Sequence, residues 1–328
     1  MSKNKEVTFL NPPTSHGGPG SFQERFEKSL KKRGWKVTYK NSYHNPSVIF
    51  IIGGTKDLLW LLSLKLKGKN IVQRLDGLNW QHNVKWPGLK TWLKSELREF
   101  LVRFVRRFIA QTLVYQTNFI SNWWNENYGP TNKNVFIVRN AVDLSEFNYN
   151  LNSKNDSEIV CVEGSIRGDP AYYILESIKS WRVNVYGEAD KNKINYFKKK
   201  GLKNIKFFGS IPRKQIPTVL KRGRVFLNLE IIPPCPNSVI EAMAMGLPIV
   251  SYDTGSMREL IGEDAGLLIP YVSNPWKLEK PSTKDLEKTI EYIFSNYNYY
   301  SRNARKRAEL FFALDNMTDK YIQIFNEI

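Results

Sequence analysis

Short apolar runs recur along the chain, and longer stretches with helix-forming composition separate them. In the first half these runs cover residues 7–10, 48–52, 71–72, 113–116 and 135–138. In the second half they cover residues 159–162, 183–186, 205–208, 225–229 and 247–252. Strands that alternate with helices pair in parallel, and helices then cover both faces of the sheet. The pattern therefore predicts an α/β protein with doubly wound parallel sheets.

The length of the chain and one polar stretch divide this series in two. A chain of 328 residues exceeds what a single hydrophobic core usually serves, so two domains are expected. Residues 148–157 contain four asparagines and no long apolar run, which is typical of a linker. We predict one domain over residues 1–150, a second over 151–312, and a closing helix within 313–328.

The composition is that of an ordinary globular protein, with 41% hydrophobic and 24% charged residues. The two cysteines, Cys161 and Cys235, form no cluster with each other or with histidines. This argues against a disulfide scaffold or a zinc site, and for a reducing compartment. The run at 7–10 is too short for a signal-peptide core, and Lys56-Asp57 interrupts the run at 48–64. We therefore expect a soluble, cytoplasmic protein.

Positive charge is the most unusual bulk property of the chain. The sequence contains 49 Lys and Arg against 31 Asp and Glu, which gives a formal net charge of +18. Such a surface attracts nucleic acid, anionic lipid headgroups or anionic substrates, and the net charge alone does not choose among them.

Part of this charge is concentrated between residues 85 and 107, where seven cations accompany two acids, Glu96 and Glu99. Apolar residues at positions 93, 97, 100, 101, 104 and 108 have the spacing of one helix face. One interpretation is a domain helix whose apolar face enters the core and whose basic face is solvated. Another is a surface that docks on an anionic membrane. No recognised nucleic-acid-binding module accompanies the charge, which argues against the third interpretation, nucleic-acid binding.

The segment 234–248, PCPNSVIEAMAMGLP, is the most informative in the chain. Pro236 stops any preceding helix, Asn237 or Ser238 is a good N-cap, and residues 239–245 favour a helix. This helix would follow the strand that ends near residue 229. Its first turn would therefore lie at the carboxyl edge of a parallel sheet, where open α/β folds bind ligands.

Two interpretations fit the start of this helix. Its free backbone N–H groups suit a diphosphate, and Glu241, one turn further on, could accept hydrogen bonds from a ribose diol. Ser238 and Glu241 also have the S-x-x-E spacing of a capping box with no ligand role. The local pattern leaves both interpretations open.

A second candidate site follows the first predicted strand. Residues 17–20, GGPG, permit close approach of a ligand to the backbone and precede a helix predicted over about 21–33. Ser21 and Glu24 form the capping box expected at that helix start. The glycines match neither a P-loop nor a dinucleotide fingerprint, so a turn without a ligand is the alternative. His16, beside these glycines, is the histidine to test.

Asp76 follows the predicted strand at 71–72 and so also lies at a carboxyl edge. It could position an acceptor hydroxyl or take its proton, or it could simply form the turn that Asp-Gly favours. His44 and His82 are isolated in the sequence, and we interpret them as structural or surface residues.

These segments, in this order, resemble the retaining glycosyltransferases of family 4. Besides the 234–248 segment, the matching residues are Gly17-Gly18, Asn140-Ala141-Val142-Asp143 with Phe147, Tyr186-Gly187, Phe208-Gly209, and Thr254-Gly255-Ser256 with Arg258-Glu259-Leu260 and Gly266. The resemblance implies the GT-B architecture, in which two Rossmann-like domains face a cleft and a C-terminal helix crosses back to the first domain. It also implies a nucleotide-sugar donor, a glycan or lipid-linked acceptor, and no metal or other cofactor.

The resemblance also implies roles for individual residues. Glu241 would bind the nucleotide ribose. The backbone of Asn237, Ser238 and Val239 would hold sugar hydroxyls and phosphate. The other donor-binding positions would be Gly17, Gly18, Gly164 and Pro236. Arg167 would stabilise the leaving diphosphate and Asp76 would act next to the reacting sugar, so these two are the predicted catalytic residues.

Two positions depart from the family pattern. Pro233 stands where the family commonly has the first of two acidic residues separated by seven positions, and Glu230 is the nearest substitute. Asp169 stands where a diphosphate-binding Lys is usual, although Arg167 is present. These departures support a second hypothesis, a nucleotide-sugar-binding relative without activity. The net charge supports a third, a basic nucleic-acid-binding protein.

Overall fold

The computed structural model describes residues 5–14, 17–43, 46–148, 158–166 and 168–328. The chain divides into two compact units: Met1–Asn140 with Leu314–Ile328 form unit 1, and Ala141–Ala313 form unit 2. Of the predicted linker at 148–157, only residue 148 is among the described residues, so the linker stays a prediction. Both cysteines, Cys161 and Cys235, are buried thiols that form no disulfide.

A six-stranded parallel sheet forms the described centre of unit 1. Its strands are β1 (Glu6–Phe9), β2 (Lys36–Tyr39), β3 (Val48–Ile52), β4 (Asn70–Leu75), β5 (Thr112–Tyr115) and β6 (Asn134–Ile137). They lie in the order β2-β1-β3-β4-β5-β6. Five of them coincide with predicted apolar runs. The sequence analysis missed β2, an edge strand whose mixed residues, KVTY, are only partly buried and therefore lack a continuous apolar run.

Helices cover the sheet of unit 1. They are α1 (Gly17–Lys32), α2 (Leu58–Leu66), α3 (Gln81–Val84), α4 (Leu89–Phe104) and α5 (Asn118–Tyr128), with a π-helical turn at Val105–Ile109. The core between sheet and helices includes Trp124 of α5, which is 1% exposed, together with Ile51 and Leu113 of the strands.

Unit 2 is built in the same way. Its strands are β7 (Glu158–Ser165), β8 (Arg182–Glu188), β9 (Ile205–Gly209), β10 (Val225–Leu227), β11 (Ile249–Tyr252) and β12 (Gly266–Ile269), in the order β12-β11-β10-β7-β8-β9. Counted from its own first strand, this is the 3-2-1-4-5-6 order of the Rossmann fold. The sequence analysis missed β12, which begins with a glycine. A Cβ added to Gly266 would lie 2.1 Å from the Ile249 carbonyl oxygen, so the close approach of β11 requires that glycine.

The helices of unit 2 surround this second sheet. They are α6 (Asp169–Ser177), α7 (Lys191–Lys199), α8 (Ile216–Leu220), α9 (Asn237–Ala244), α10 (Met257–Ile261), α11 (Leu286–Ser295) and α12 (Tyr297–Phe311). One side of α9 enters the core, where Val239 and Met243 are fully buried near Phe226 of β10.

The last helix, α13 (Leu314–Glu327), belongs to unit 1 although the chain reaches it from unit 2. Tyr321 packs against Phe26 of α1, with ring centroids 4.7 Å apart. Arg33 forms ion pairs with Asp315 and Asp319, each at 2.8 Å. The C-terminal helix that crosses back to the first domain is thus confirmed. Among the described residues, no helix is both long enough and apolar enough to cross a bilayer.

Candidate functional site

Unit 2 has a topological switch point between β7 and β10. From β7 the chain winds outward through β8 and β9, then returns to the other side of β7 as β10. Ile159 pairs with Val225 and Val160 with Phe226, so the two strands run side by side toward one edge. Loops that leave this edge in opposite directions open a crevice, and open α/β sheets bind ligands there. Gly164 stands near the end of β7, and the segment 228–236 follows β10.

Helix α9 begins at the end of that segment. Pro236 is its N-cap, in an extended conformation with φ −66° and ψ 123°, and no side chain of the described residues caps the helix. The prediction of Asn237 or Ser238 as N-cap is therefore wrong, and so is the capping box, because Ser238 and Glu241 both lie inside the helix. The backbone N–H groups of the first turn lack intrahelical partners and face the site without a competing cap.

The loop after β11 holds the segment before α9 in place. Thr254 donates a hydrogen bond to the Ile231 carbonyl, and Ser256 donates both its backbone N–H and its hydroxyl to the Pro233 carbonyl, each at 2.9 Å. Gly255 lies against Pro233 with φ +57°, and a Cβ added there would lie 2.5 Å from the Pro233 carbonyl oxygen. Pro233, which takes the place of an acid in the family pattern, is thus a buried anchor of this segment.

Glu241 lies on the second turn of α9 and is 3% exposed. An ionised carboxylate this deeply buried is costly unless polar groups bind it, so Glu241 is not an ordinary solvated surface residue. Its neighbours Ile240 and Ala242 are buried in the core. The position that the resemblance assigns to ribose binding therefore carries a buried carboxylate at the carboxyl edge of the sheet.

Two further carboxyl groups come together at the switch point, Glu163 near the end of β7 and Glu230 after β10. Burial and the charge of Glu230 raise the pKa of Glu163 to about 8, and a hydrogen bond from the Leu229 backbone opposes this shift. The Glu163 Oε1 atom is enclosed and has no hydrogen-bond partner among the described residues. Glu163 is therefore mainly protonated at pH 7, and this edge carries less negative charge than its sequence suggests.

The loop after β7 contains a predicted catalytic residue, Arg167, which lies outside the described residues. Its role stays a prediction. Asp169, where the family pattern has a Lys, begins α6 and forms an ion pair with Lys193 at 2.7 Å. Lys193 comes from α7, so the tertiary structure brings a cation to a position where the local sequence has an acid.

In unit 1 the corresponding glycines form a helix start. Gly17 to Gly20 make the first turn of α1, so the predicted start at Ser21 is wrong and Ser21 with Glu24 is not the capping box. A Cβ added to Gly20 would lie 2.3 Å from the Thr14 carbonyl oxygen, which explains why glycine is needed there. Gly17 and Gly18 place first-turn N–H groups at the end of the loop after β1. His16 and His44 lie outside the described residues.

A buried cation lies beside the predicted catalytic Asp76. Arg74, near the end of β4, is 2% exposed, and its guanidinium lies 3.8 Å from the centre of the Phe22 ring and donates to Asn140. Burial raises the pKa of Asp76, and the charge of Arg74 lowers it by less. The Asp76 carbonyl accepts a hydrogen bond from the Trp124 indole at 2.8 Å, which fixes this loop. A buried carboxyl with a perturbed pKa is typical of functional positions.

Arg74, Glu163 and Lys193 were not predicted from the sequence as site residues. The sequence did contain a signal for Arg74 and Glu163, because each of them adjoins or interrupts an apolar strand run. No local pattern indicated Lys193. His82 is buried and its Nε2 lies 2.7 Å from Glu96 Oε1, which agrees with a structural role. Among the described residues, no three His, Cys, Asp or Glu side chains are placed to hold a metal ion, and metal independence stays a prediction.

Comparison with known proteins bears first on unit 2. Residues 171–309, from α6 to α12, match the family model described as "Glycosyl transferases group 1". The matched segment is less than half of the chain. It includes α9 with Glu241 and the loop after β11, but not Gly164 or Arg167.

One curated sequence relative and two solved structures are similar to larger parts of the chain. One subunit of human phosphatidylinositol N-acetylglucosaminyltransferase is 22% identical over 209 residues, which are 59% of this chain and only 41% of the human protein. A sucrose-phosphate synthase from Thermosynechococcus elongatus matches with a TM-score of 0.74 at 14% identity, over 98% of both chains. HepE from Anabaena, solved in complex with UDP and glucose, matches with a TM-score of 0.73 at 14% identity, over 98% of this chain and 100% of HepE. The fold is GT-B, with two Rossmann-like domains.

Proposed function

We propose that this chain is a glycosyltransferase that moves a sugar, in the manner of family 4 with retention of anomeric configuration, from a nucleoside diphosphate donor to an acceptor hydroxyl. One observation carries the proposal: the uncapped first turn of α9 and the buried Glu241 lie together at a sheet edge, inside the segment that matches glycosyl transferases group 1. Positive N–H groups and a buried carboxylate one turn apart suit a diphosphate and a ribose diol.

Each of the remaining site residues contributes to one part of the reaction. The bond between the sugar and the diphosphate breaks while the acceptor oxygen bonds to the sugar and gives up its proton. Charge on the leaving diphosphate is stabilised by the start of α9 and by Arg167. Protonation of Glu163 keeps a second negative group away from the diphosphate. Asp76 positions the acceptor hydroxyl or accepts its proton, and no metal ion is required.

The relatives suggest which substrates to try first. HepE was solved with UDP and glucose, so uridine diphosphate sugars are the first donors to test. The human relative is named for phosphatidylinositol and N-acetylglucosamine, so a lipid-linked acceptor is tested beside free glycans.

A thermal-shift screen against UDP-, GDP-, ADP- and CMP-sugars tests donor binding, because a ligand that binds only the folded state raises its apparent stability. We expect one base to stabilise the chain and the Glu241→Ala variant to lose that shift. Mass spectrometry of the products with glycan and lipid acceptors then tests transfer. No stabilisation by any donor, or an equal shift in Glu241→Ala, would contradict the proposed site.

A second candidate function is donor binding without transfer. The observations that favour it are Pro233, whose carbonyl is fully engaged as an anchor, and Asp169, which is paired with Lys193 instead of providing a cation. Donor binding with neither donor hydrolysis nor transfer across a broad acceptor panel would favour this candidate over the first.

A further inference from the structure

The helix α4, the loop before it and the π-helical turn after it present an apolar stripe to solvent. It consists of Trp86, Leu89, Leu93, Leu97, Phe100 and Phe108, which are between 50% and 65% exposed. From residue 89 onward their positions follow helical spacing and lie on one face. The interpretation of the apolar face of this helix as its core face is therefore wrong for Leu93, Leu97, Phe100 and Phe108, whereas Phe104 packs against the core. We call the six exposed residues the α4 stripe.

Exposed cations flank the α4 stripe, and neither acid of the same segment is fully exposed. Lys85, Lys90, Lys94, Arg98 and Arg107 are all exposed. Glu99 is buried, and Glu96 is bound to the buried His82 at 2.7 Å. The exposed charge next to the apolar side chains of α4 is therefore mainly positive.

The end of α2 extends this surface beside Phe108. Lys65 donates a hydrogen bond from Nζ to the Phe108 carbonyl at 2.5 Å, and the adjacent Leu66 is 88% exposed. Burial, together with the charges of Lys65, Arg106 and Arg107, lowers the pKa of Lys133 to about 8. Burial is the largest cause of this lowered pKa, and the three cations that add to it show that positive charge is concentrated near Lys133.

We propose that the α4 stripe and its flanking cations dock this chain on an anionic lipid surface. A helix with leucine and aromatic residues on one face and cations beside them lies in the plane of a bilayer, with its apolar face among the acyl chains and its cations at the headgroups. Three leucines at helical spacing favour lipid over nucleic acid, because single-stranded nucleic acid stacks on aromatic side chains and duplexes bind through polar contacts. The 16 residues of α4 would extend about 24 Å along the surface.

This inference goes beyond the proposed function and does not depend on it. An anionic surface would hold the chain at the membrane whether or not it transfers sugar. Donor binding, measured by thermal shift, is expected to be the same in the docking variants as in the unchanged chain, since none of the substituted residues belongs to the proposed donor site.

Flotation of the full chain with phosphatidylcholine vesicles that contain or lack phosphatidylglycerol tests the proposal. We expect binding to the vesicles with phosphatidylglycerol and weak binding to those without it. The Lys90→Glu/Lys94→Glu/Arg98→Glu variant is expected to bind roughly 100-fold more weakly, because each cation near an anionic surface contributes about 1 kcal/mol. The Leu93→Ser/Leu97→Ser variant should also bind more weakly, while keeping its salt dependence.

Matched controls come from exposed residues of unit 2. Lys198→Glu/Lys199→Glu/Lys203→Glu changes net charge by the same amount, and Leu310→Ser/Phe311→Ser removes two exposed apolar side chains. Both controls are expected to bind vesicles like the unchanged chain. Equal loss in controls and α4 variants, or no binding to phosphatidylglycerol, would overturn the proposal. The proposal would equally be overturned if random duplex nucleic acid displaced the chain from the vesicles. It would also be overturned if the only effect of Leu93→Ser/Leu97→Ser were to convert a dimer of the chain into monomers.

Discussion

At the switch edge of unit 2 an enclosed carboxyl, Glu163, lies near the exposed carboxyl of Glu230, whereas the carboxyl edge of unit 1 pairs a buried cation, Arg74, with the acid Asp76. Both edges belong to doubly wound sheets with nearly the same construction. In unit 1 a protein cation offsets the buried negative charge, and in unit 2 a bound proton does so. The fold supplies the edge, and the side chains on the strand ends decide its chemistry.

The largest effect we expect comes from the backbone of unit 2. Gly255→Ala places a Cβ 2.5 Å from the Pro233 carbonyl oxygen at a positive φ, and should cost about 3 kcal/mol of stability. The control is Gly129→Ala in unit 1, where φ is also positive but no atom lies within 4 Å, with an expected cost of about 1 kcal/mol. Denaturant unfolding measures both. Equal losses would show that Pro233 does not anchor this loop.

The next prediction separates donor binding, which we assign to Glu241 of unit 2, from turnover, which we assign to Asp76 of unit 1. Glu241→Ala should weaken donor binding roughly 10- to 100-fold, since a buried charged hydrogen bond contributes about 1.5–3 kcal/mol. Asp76→Asn should leave donor affinity nearly unchanged and lower turnover by about 100-fold or more. Calorimetry and initial rates separate the two effects. Loss of donor affinity in Asp76→Asn would contradict the assignment of donor binding to unit 2.

The cation of unit 1 should set the pH dependence of Asp76. Arg74 favours the ionised carboxylate, so Arg74→Met should raise the Asp76 pKa further and move the acidic limb of the rate profile to higher pH. Arg98→Met, an exposed arginine of the same unit, serves as the control. An unshifted limb in Arg74→Met would mean that Asp76 does not control the rate.

The proton bound by Glu163 in unit 2 gives the last prediction. The folded-state pKa of Glu163, about 8, lies above its unfolded value near 4.5, so its contribution to stability is present below pH 4.5 and lost as pH rises to 8. Relative to Glu163→Gln, the unchanged chain should therefore lose stability across that window, as read from hydrogen exchange of β7 amides.

Glu176→Gln is the control for this difference, because Lys200 lowers the Glu176 pKa. Its contribution is present above the unfolded pKa and lost as the pH falls, so the difference between the unchanged chain and Glu176→Gln should have the opposite slope. A flat difference for Glu163→Gln would show that its carboxyl is ionised throughout. Glu230→Gln removes the neighbouring negative charge and should therefore lower the folded-state pKa of Glu163. The loss of stability should then end at a lower pH.

Much of the fold could be predicted because buried parallel strands are continuous apolar runs. Ten of the twelve described strands coincide with such runs, and the two that were missed, β2 and β12, are edge strands. Helix starts were predicted less well. Ser21-x-x-Glu24 and Ser238-x-x-Glu241 both have capping-box spacing, yet both fall inside helices, because the preceding glycines and Pro236 can themselves begin a helix.

The sequence by itself determined the α/β class, the place of the α9 segment at a carboxyl edge, and the resemblance carried by residues 234–248. Only the tertiary structure decided which ionisable groups meet: Glu163 with Glu230, Arg74 with Asp76, and Asp169 with Lys193. It also decided that the apolar face of α4 points to solvent. Periodicity shows that a helix has an apolar face, but which partner covers that face depends on contacts between residues far apart in the chain.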